Sequence, residues 1–133
     1  MKLFKRNENR GFTMVELAIV LVILAILAAI AVPLYLQYVE SARAGEAQEA
    51  IAAIMAAAKV QHAETGQWPT DMRQLHRLQL DRLTEERWRF IIIPGTHGIQ
   101  SVQATSTGQM PGGAGKIVRF NAQEGKWNGY GFD

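Results

Sequence analysis

Cysteine is absent from this chain of 133 residues, which excludes a disulfide framework and any metal site built from thiolates. The usual groupings of reactive side chains are absent as well, because no serine stands in a nucleophile elbow and no paired carboxylates mark an acid–base site. The histidines are scattered without metal-ligand spacing: His62, His76 and His97. The sequence therefore predicts a protein that is not an enzyme and has no catalytic residue, metal site or cofactor.

A nucleotide-binding loop is also missing. Gly115 and Lys116 invite comparison with a phosphate-binding loop, but that motif needs a glycine where Met110 stands and a hydroxyl residue where Ile117 stands. In addition, a strand rather than a helix is predicted to follow the lysine. We therefore expect no bound nucleotide.

The net charge is small outside the first eleven residues. In that segment four cations stand against Glu8 and give a charge of +3: Lys2, Lys5, Arg6 and Arg10. Because the whole chain carries +2, the remainder is left at −1. A nearly neutral remainder argues against bulk binding of nucleic acid, which needs many cationic contacts to phosphate.

One long apolar run dominates what the sequence does contain. Leu17 to Leu36 has no charged residue, and at about 1.5 Å per residue it spans roughly 30 Å, the thickness of a bilayer core. The cations before it predict a cytoplasmic N-terminus. A secretory signal fits less well, because the apolar character continues beyond Ala25 to Ala31, where small residues imitate a cleavage site. A single-span membrane anchor is the simplest interpretation.

That interpretation leaves Glu16 unexplained. A carboxylate costs about 2.5–3.5 kcal/mol at the centre of a spanning helix and less near its end. Either Glu16 is an acid tolerated at the interface, or it has a cationic partner, which the run itself does not supply. A cut between Gly11 and Phe12 would create an ammonium four residues before Glu16, on its own chain or on a neighbouring copy. Pairing with a neighbour would stagger the copies by about one helical turn.

The stretch KRNENRGFTMVEL, followed by the apolar run with Pro33, resembles the leader and N-terminal helix of type IV pilins and pseudopilins. The resemblance implies that a membrane-bound prepilin peptidase cuts after Gly11 and methylates the new N-terminal Phe12. It also implies that Glu16 pairs with the N-terminus of an adjacent subunit, and that Pro33 is the helix-breaking proline of the family. Residues 1–11 would then be a removed leader.

The chain after the leader is expected to begin with one helix of about fifty residues. Residues 12–38 form its transmembrane and polymerisation part, in which Pro33 predicts a kink or local melting. Ala25 and Ala29 share a face that would admit a neighbouring helix, although alanine is also simply common in spanning helices. Residues 39–65 continue the helix, with an apolar face at three- and four-residue spacing: Ala47, Ile51, Ile54, Met55 and Ala58.

Residues 66–133 are predicted to form a small antiparallel sheet of three or four strands. Gly66 would cap the long helix, with Pro69 beyond it, and Thr70-Asp71 would begin a helical turn. The leucines expected to point inward from there are Leu75, Leu78, Leu80 and Leu83.

The strands are read from their apolar content. They are expected at 88–93, stopped by Pro94-Gly95, at 98–107, and in a hairpin from Lys116 that turns near Glu124-Gly125. A loop at 109–116 would precede that hairpin. The fold class is therefore α+β: a long N-terminal α-helix, hydrophobic and membrane-spanning in its first half, packed by its second half on the sheet.

One concentration of arginines follows the long helix: Arg73, Arg77, Arg82, Arg87 and Arg89. Because Asp81, Glu85 and Glu86 lie among these cations, a solvated, ion-paired face is the plain interpretation. A patch that binds DNA or another surface from an assembled fibre is the alternative, since repetition multiplies a weak charge.

The resemblance implies a structural subunit of a type IV pilus-like filament that serves adhesion, surface motility or DNA uptake. It would sit in the bacterial inner membrane with its N-terminus in the cytoplasm, and then in an extracellular pilus. Its partners would be further copies, related pilins, the prepilin peptidase, an inner-membrane assembly platform and the lipid bilayer.

Two alternatives remain open. The first is a pseudopilin of a type II secretion or competence machine, in a periplasmic pseudopilus; TGQWPTDMRQLHRL resembles a segment of secretion pseudopilins. However, the cysteine pair of many pilins and the calcium-binding loop of the major secretion pseudopilins are both missing. The second alternative is a membrane-anchored periplasmic binding module that does not polymerise.

Overall fold

The computed structural model describes residues 11–132, which divide into two compact units between Leu36 and Gln37. The leader prediction therefore lies outside the described residues, apart from Gly11. One helix, α1 (Met14–Thr65), contributes its first half to the first unit and its second half to the second unit. The length predicted for this helix is confirmed.

The second half of α1 buries one apolar stripe against the rest of its unit. Ala47, Ile51, Ile54 and Ala58 are fully buried, and Met55 is partly buried beside them. These residues recur at three- and four-residue spacing, so the predicted apolar face is the one that packs. Ala44 extends the same stripe towards the N-terminus.

A short irregular segment follows the helix. Gly66 has a φ of 73°, and its N–H donates to the carbonyl of His62, so the predicted left-handed cap is confirmed. Asp71 caps a 3₁₀ turn (Met72–Gln74) by accepting a hydrogen bond from the N–H of Arg73. A six-residue helix, α2 (Arg82–Arg87), then leads into the sheet.

The leucines of this segment divide between core and solvent. Leu75 is buried and Leu78 and Leu80 are half-buried, as predicted. Leu83 is 52% exposed, so its predicted inward orientation is wrong. Thr84 takes the buried position of α2 instead, because its hydroxyl donates to the carboxylate of Glu46 on α1.

Four antiparallel strands form the sheet in sequence order: β1 (Trp88–Gly95), β2 (Gly98–Ser106), β3 (Ile117–Asn121) and β4 (Lys126–Gly129). Trp88, Val102, Ala104 and Val118 point from the sheet into the core shared with α1. The turn between β3 and β4 contains Gly125, which has a positive φ of 67°. The predicted α+β fold class is thereby confirmed.

Proline does not end β1. We expected Pro94-Gly95 to stop this strand, but both residues belong to it, so that prediction is wrong. β1 is an edge strand, and the register shifts between Ile93 and Pro94. An edge position with an irregular register tolerates a residue that has no N–H to donate.

The loop between β2 and β3 and the C-terminal segment close the unit around α1. Met110, in the predicted loop, is buried in the core. Gly131 lies so close to Ala44 that any Cβ at position 131 would overlap it. The end of the chain is therefore packed on the helix.

The buried stripe gives a direct stability prediction. Ile54→Ala should lower the free energy of unfolding by about 2–5 kcal/mol, because it removes a fully buried side chain and leaves a cavity. Urea unfolding of the detergent-solubilised chain, followed by tryptophan fluorescence, measures this change. Val60→Ala on the same helix, where the side chain is 45% exposed, is the matched control and should stay within about 0.5 kcal/mol. Equal losses in the two variants would contradict the packing described here.

Candidate assembly site at the start of the N-terminal helix

The first turn of α1 is closed by two side chains that cap each other's backbone. The hydroxyl of Thr13 accepts a hydrogen bond from the N–H of Glu16 at 3.1 Å. In return, the carboxylate of Glu16 accepts a weaker one from the N–H of Thr13 at 3.4 Å. This reciprocal arrangement is a capping box, in which a threonine before the helix and a glutamate three residues later satisfy otherwise unpaired donors.

The capping box gives Glu16 a role that sequence reasoning missed. Thr13-Met14-Val15-Glu16 carries the threonine–glutamate spacing of a capping box directly before an apolar run, and this spacing is the signal that predicts it. The carboxylate also lies near the positive end of the helix dipole. Because a carboxylate has about four lone-pair sites and the box uses one, Glu16 keeps the capacity to bind a further donor.

Gly11 and Phe12 lie immediately before this turn, outside the helix. A Cβ built on Gly11 meets nothing within 4 Å, and its φ is not positive, so the fold itself does not require glycine there. The side chain of Phe12 is 83% exposed. The structure contains no hydrogen bond between Phe12 and Glu16 of the same chain.

The first unit exposes its apolar side chains on all sides. Every residue from Gly11 to Tyr38 is exposed in the isolated chain, and the helix is long and apolar enough to cross a membrane by length and composition. Such a surface requires lipid or protein around it.

The helix continues without interruption through Pro33. Local melting is therefore not seen in the isolated chain. The role of Pro33 as a helix-breaking residue in a filament stays a prediction.

The arginine concentration is largely neutralised by carboxylates. Four of its members each lie within 4 Å of an acid: Arg73 with Asp71, Arg77 with Glu64, Arg82 with Glu86 and Arg87 with Glu46. Hydrogen bonds from the Arg73 side chain and backbone lower the pKa of Asp71. The predicted ion-paired face is confirmed, although only Glu86 belongs to the acids we had expected to provide it.

The structure gives the described histidines no common site. His62 stacks on Trp68 with a centroid distance of 4.2 Å, which ties the end of α1 to the following segment. Among residues 11–132, no three metal-ligating side chains come together.

Removing the Thr13 hydroxyl should loosen the first turn of α1. Thr13→Val keeps the shape of the side chain but deletes the acceptor for the Glu16 N–H. The first turn should lose about 1 kcal/mol of stability, so the Glu16 amide should exchange roughly fivefold faster. Hydrogen exchange measured by NMR in micelles tests this. Thr13→Ser should exchange like the parent chain, and identical rates for valine and serine would refute the capping box.

Comparison with known proteins identifies a family motif that includes this first helical turn. Residues 6–32 match the family model of the prokaryotic N-terminal methylation motif. The match includes Gly11, Phe12, the capping box and most of the exposed apolar helix. No curated protein and no solved structure matches the chain. The chain therefore carries a leader of the type IV pilin and pseudopilin type.

Proposed function

We propose that this chain is a structural subunit of a type IV pilus-like filament, polymerised from the inner membrane through its N-terminal helix. The observation that carries the proposal is the fully exposed apolar half of α1, with the single carboxylate of Glu16 inside the stretch that matches the methylation motif. The head formed by residues 37–133 is a separate compact unit. A filament subunit needs one part that polymerises, here the apolar helix, and another part that is exposed on the fibre surface, here the head.

The magnitude of the exposed apolar surface excludes a helix that stands in water. Burying one large apolar side chain is worth about 1.5–3 kcal/mol, so the run from Phe12 to Tyr38 amounts to tens of kcal/mol. That exceeds the roughly 5–15 kcal/mol by which a whole domain is stable. Lipid supplies the cover before assembly, and once the helix leaves the bilayer, only other copies or related pilins can replace it.

Processing supplies the charge that the helix lacks. A cut after Gly11 by prepilin peptidase turns the Phe12 nitrogen into an ammonium, which would stand at the positive end of its own helix dipole. The Glu16 carboxylate of a neighbouring copy offsets both costs, because it retains free lone pairs beside its capping bond. This ion pair would then hold each copy that the assembly platform adds about one helical turn along the axis from its neighbour.

A pseudopilus subunit is the second candidate. The resemblance of residues 65–78 to a segment of secretion pseudopilins favours it, and in the structure this segment contains the 3₁₀ turn and Trp68, which packs against the end of α1. Both candidates polymerise by the same helix. Shearing cells and assaying long surface fibres for the protein separates them, because a pseudopilus stays in the periplasm.

Neutralising Glu16 should impair assembly. Glu16→Gln keeps size and most hydrogen-bonding capacity but removes the charge, so we expect fibre yield to fall by at least about tenfold, since an ion pair in lipid is replaced by a neutral contact. Quantitative immunoblotting of sheared and membrane fractions measures the yield. Glu49→Gln, the same change at an exposed position outside the span, should leave the yield unaltered. Normal fibres from the Glu16 variant would contradict the role proposed for this charge.

The mature N-terminus is the second test. Mass spectrometry of the membrane-extracted protein should show a chain that begins at N-methylated Phe12. Gly11→Leu should retain residues 1–11, and because a side chain at position 11 meets nothing in the fold, this failure would lie with the peptidase rather than with folding. An intact Met1 in the parent chain would overturn the assignment of the leader.

A further inference from the structure

The side of the sheet that faces away from α1 carries an unusual set of residues. The strand register places Arg89, Thr105 and Ile117 in one row, and Ile91, Gln103 and Arg119 in the next. We call the surface formed by Arg89, Ile91, Ile117, Arg119 and Lys126 the outer sheet face; all five side chains are exposed. The opposite side holds the core residues of the same strands.

The outer sheet face is cationic without compensation. None of the four strands contains an aspartate or glutamate, and their cations are Arg89, Arg119 and Lys126. Within residues 11–132, none of these three forms an ion pair, unlike the four arginines paired near α2. The acids closest to these cations along the chain lie outside the strands: Glu86 in α2, which pairs with Arg82, and Glu124 in the β3–β4 turn. Positive charge is therefore concentrated on one face of a nearly neutral head.

Arg119 is held in a fixed orientation on this face. Its Nε and Nη2 both donate to the Oε1 of Gln103, at 3.2 and 2.6 Å, and the amide nitrogen of Gln103 donates to the Thr105 hydroxyl. One edge of the guanidinium is thus used within the sheet. The other edge of the guanidinium remains open and can donate two hydrogen bonds to an anionic group. Because the neutral side chain of Gln103 already holds the guanidinium in place, less conformational entropy is lost when an anion binds.

The exposed isoleucines indicate which kind of anionic partner fits the outer sheet face. Ile91 and Ile117 are 44% and 41% exposed and lie beside the cations. A nucleic-acid backbone offers these isoleucines nothing, and the face has no aromatic side chain on which unpaired bases would stack. A lipid surface provides anionic headgroups for the cations and an apolar boundary for the isoleucines.

We propose that the outer sheet face docks on the anionic lipid surface of another membrane. The proposal rests on the filament function: if the α1 helices form the fibre core, the sheet packs on that core by its inner side, and the outer sheet face is turned outward in every copy. Each cation near an anionic bilayer strengthens binding about fivefold, so three give roughly a hundredfold. A single head binds weakly, and repetition along the fibre gives the avidity.

Vesicle tethering tests the proposal without requiring fibres. The full chain is reconstituted in phosphatidylcholine vesicles and mixed with fluorescent vesicles of either phosphatidylcholine or equal parts phosphatidylcholine and phosphatidylglycerol. We expect tethering only to the anionic vesicles, weakening as ionic strength rises. Arg119→Glu should reduce it by at least about tenfold, since it removes one cation and adds an anion. Ile91→Gln should reduce it as well, by weakening the apolar contact.

Arg82→Glu is the matched control, because it makes the same charge change on α2, away from the outer sheet face. It should tether like the parent chain, and unchanged urea unfolding of all variants shows that the heads are folded. Absence of tethering by the parent chain, an equal loss in the Arg82 variant, or capture of duplex DNA in preference to anionic vesicles would each overturn the proposal. Because this assay needs no polymer, its failure leaves the filament proposal standing, and failure of the Glu16 test leaves the docking proposal standing.

Discussion

The constraint on which this molecule depends is an apolar helix with one carboxylate and no cation of its own. From Leu17 to Leu36 the chain contains no charged residue, and all of it is exposed in the isolated chain. Such a helix has two environments open to it, a bilayer and a bundle of similar helices. In the proposed filament the carboxylate of Glu16 would link them, because it is tolerated in the bilayer and would pair with a neighbouring N-terminus in the bundle.

The capping box refines this view of Glu16. The carboxylate already closes the first turn of its own helix through Thr13, so it is ordered before any partner arrives. Ordering in advance reduces the entropy lost when a neighbouring ammonium binds. The two functions are compatible because one carboxylate accepts several hydrogen bonds. Thr13 is therefore a positioning residue for the charge that we assign to assembly.

In the head, the apolar core and the charged groups occupy separate places. Its core lies between one stripe of α1 and the inner side of the sheet, while most arginines near α2 are paired with acids. The Glu46 carboxylate joins α1 to α2 through Thr84 and Arg87 and is one such pairing between elements. Three of the cations without an acid partner, Arg89, Arg119 and Lys126, belong to the outer sheet face, which is the surface that the proposed fibre would present.

Features set by neighbouring residues were predictable from the sequence. The span, the helix length, the cap at Gly66 and the approximate positions of the strands along the chain each follow from local patterns of apolar residues, glycine and proline, whereas the order of the strands in the sheet was not predicted. Others depend on contacts distant in sequence. The exposure of Leu83 follows from the pairing of Thr84 with Glu46, and Pro94 is accepted within β1 because that strand lies at the sheet edge. At the candidate assembly site the missed feature is local, because the threonine–glutamate spacing of Thr13 and Glu16 is present in the sequence.

The most direct measurement of the central idea is the distance between the terminal amine of one copy and the Glu16 carboxylate of another. Fibres can be grown from a mixture of subunits, half labelled with ¹⁵N in phenylalanine and half with ¹³C in glutamate, and studied by solid-state NMR. The amine at Phe12 has a resonance distinct from amides, so dephasing of that signal by a carboxylate carbon reports contact between copies. Contact at ion-pair distance is the predicted result, and an amine with no glutamate of another copy nearby would contradict it.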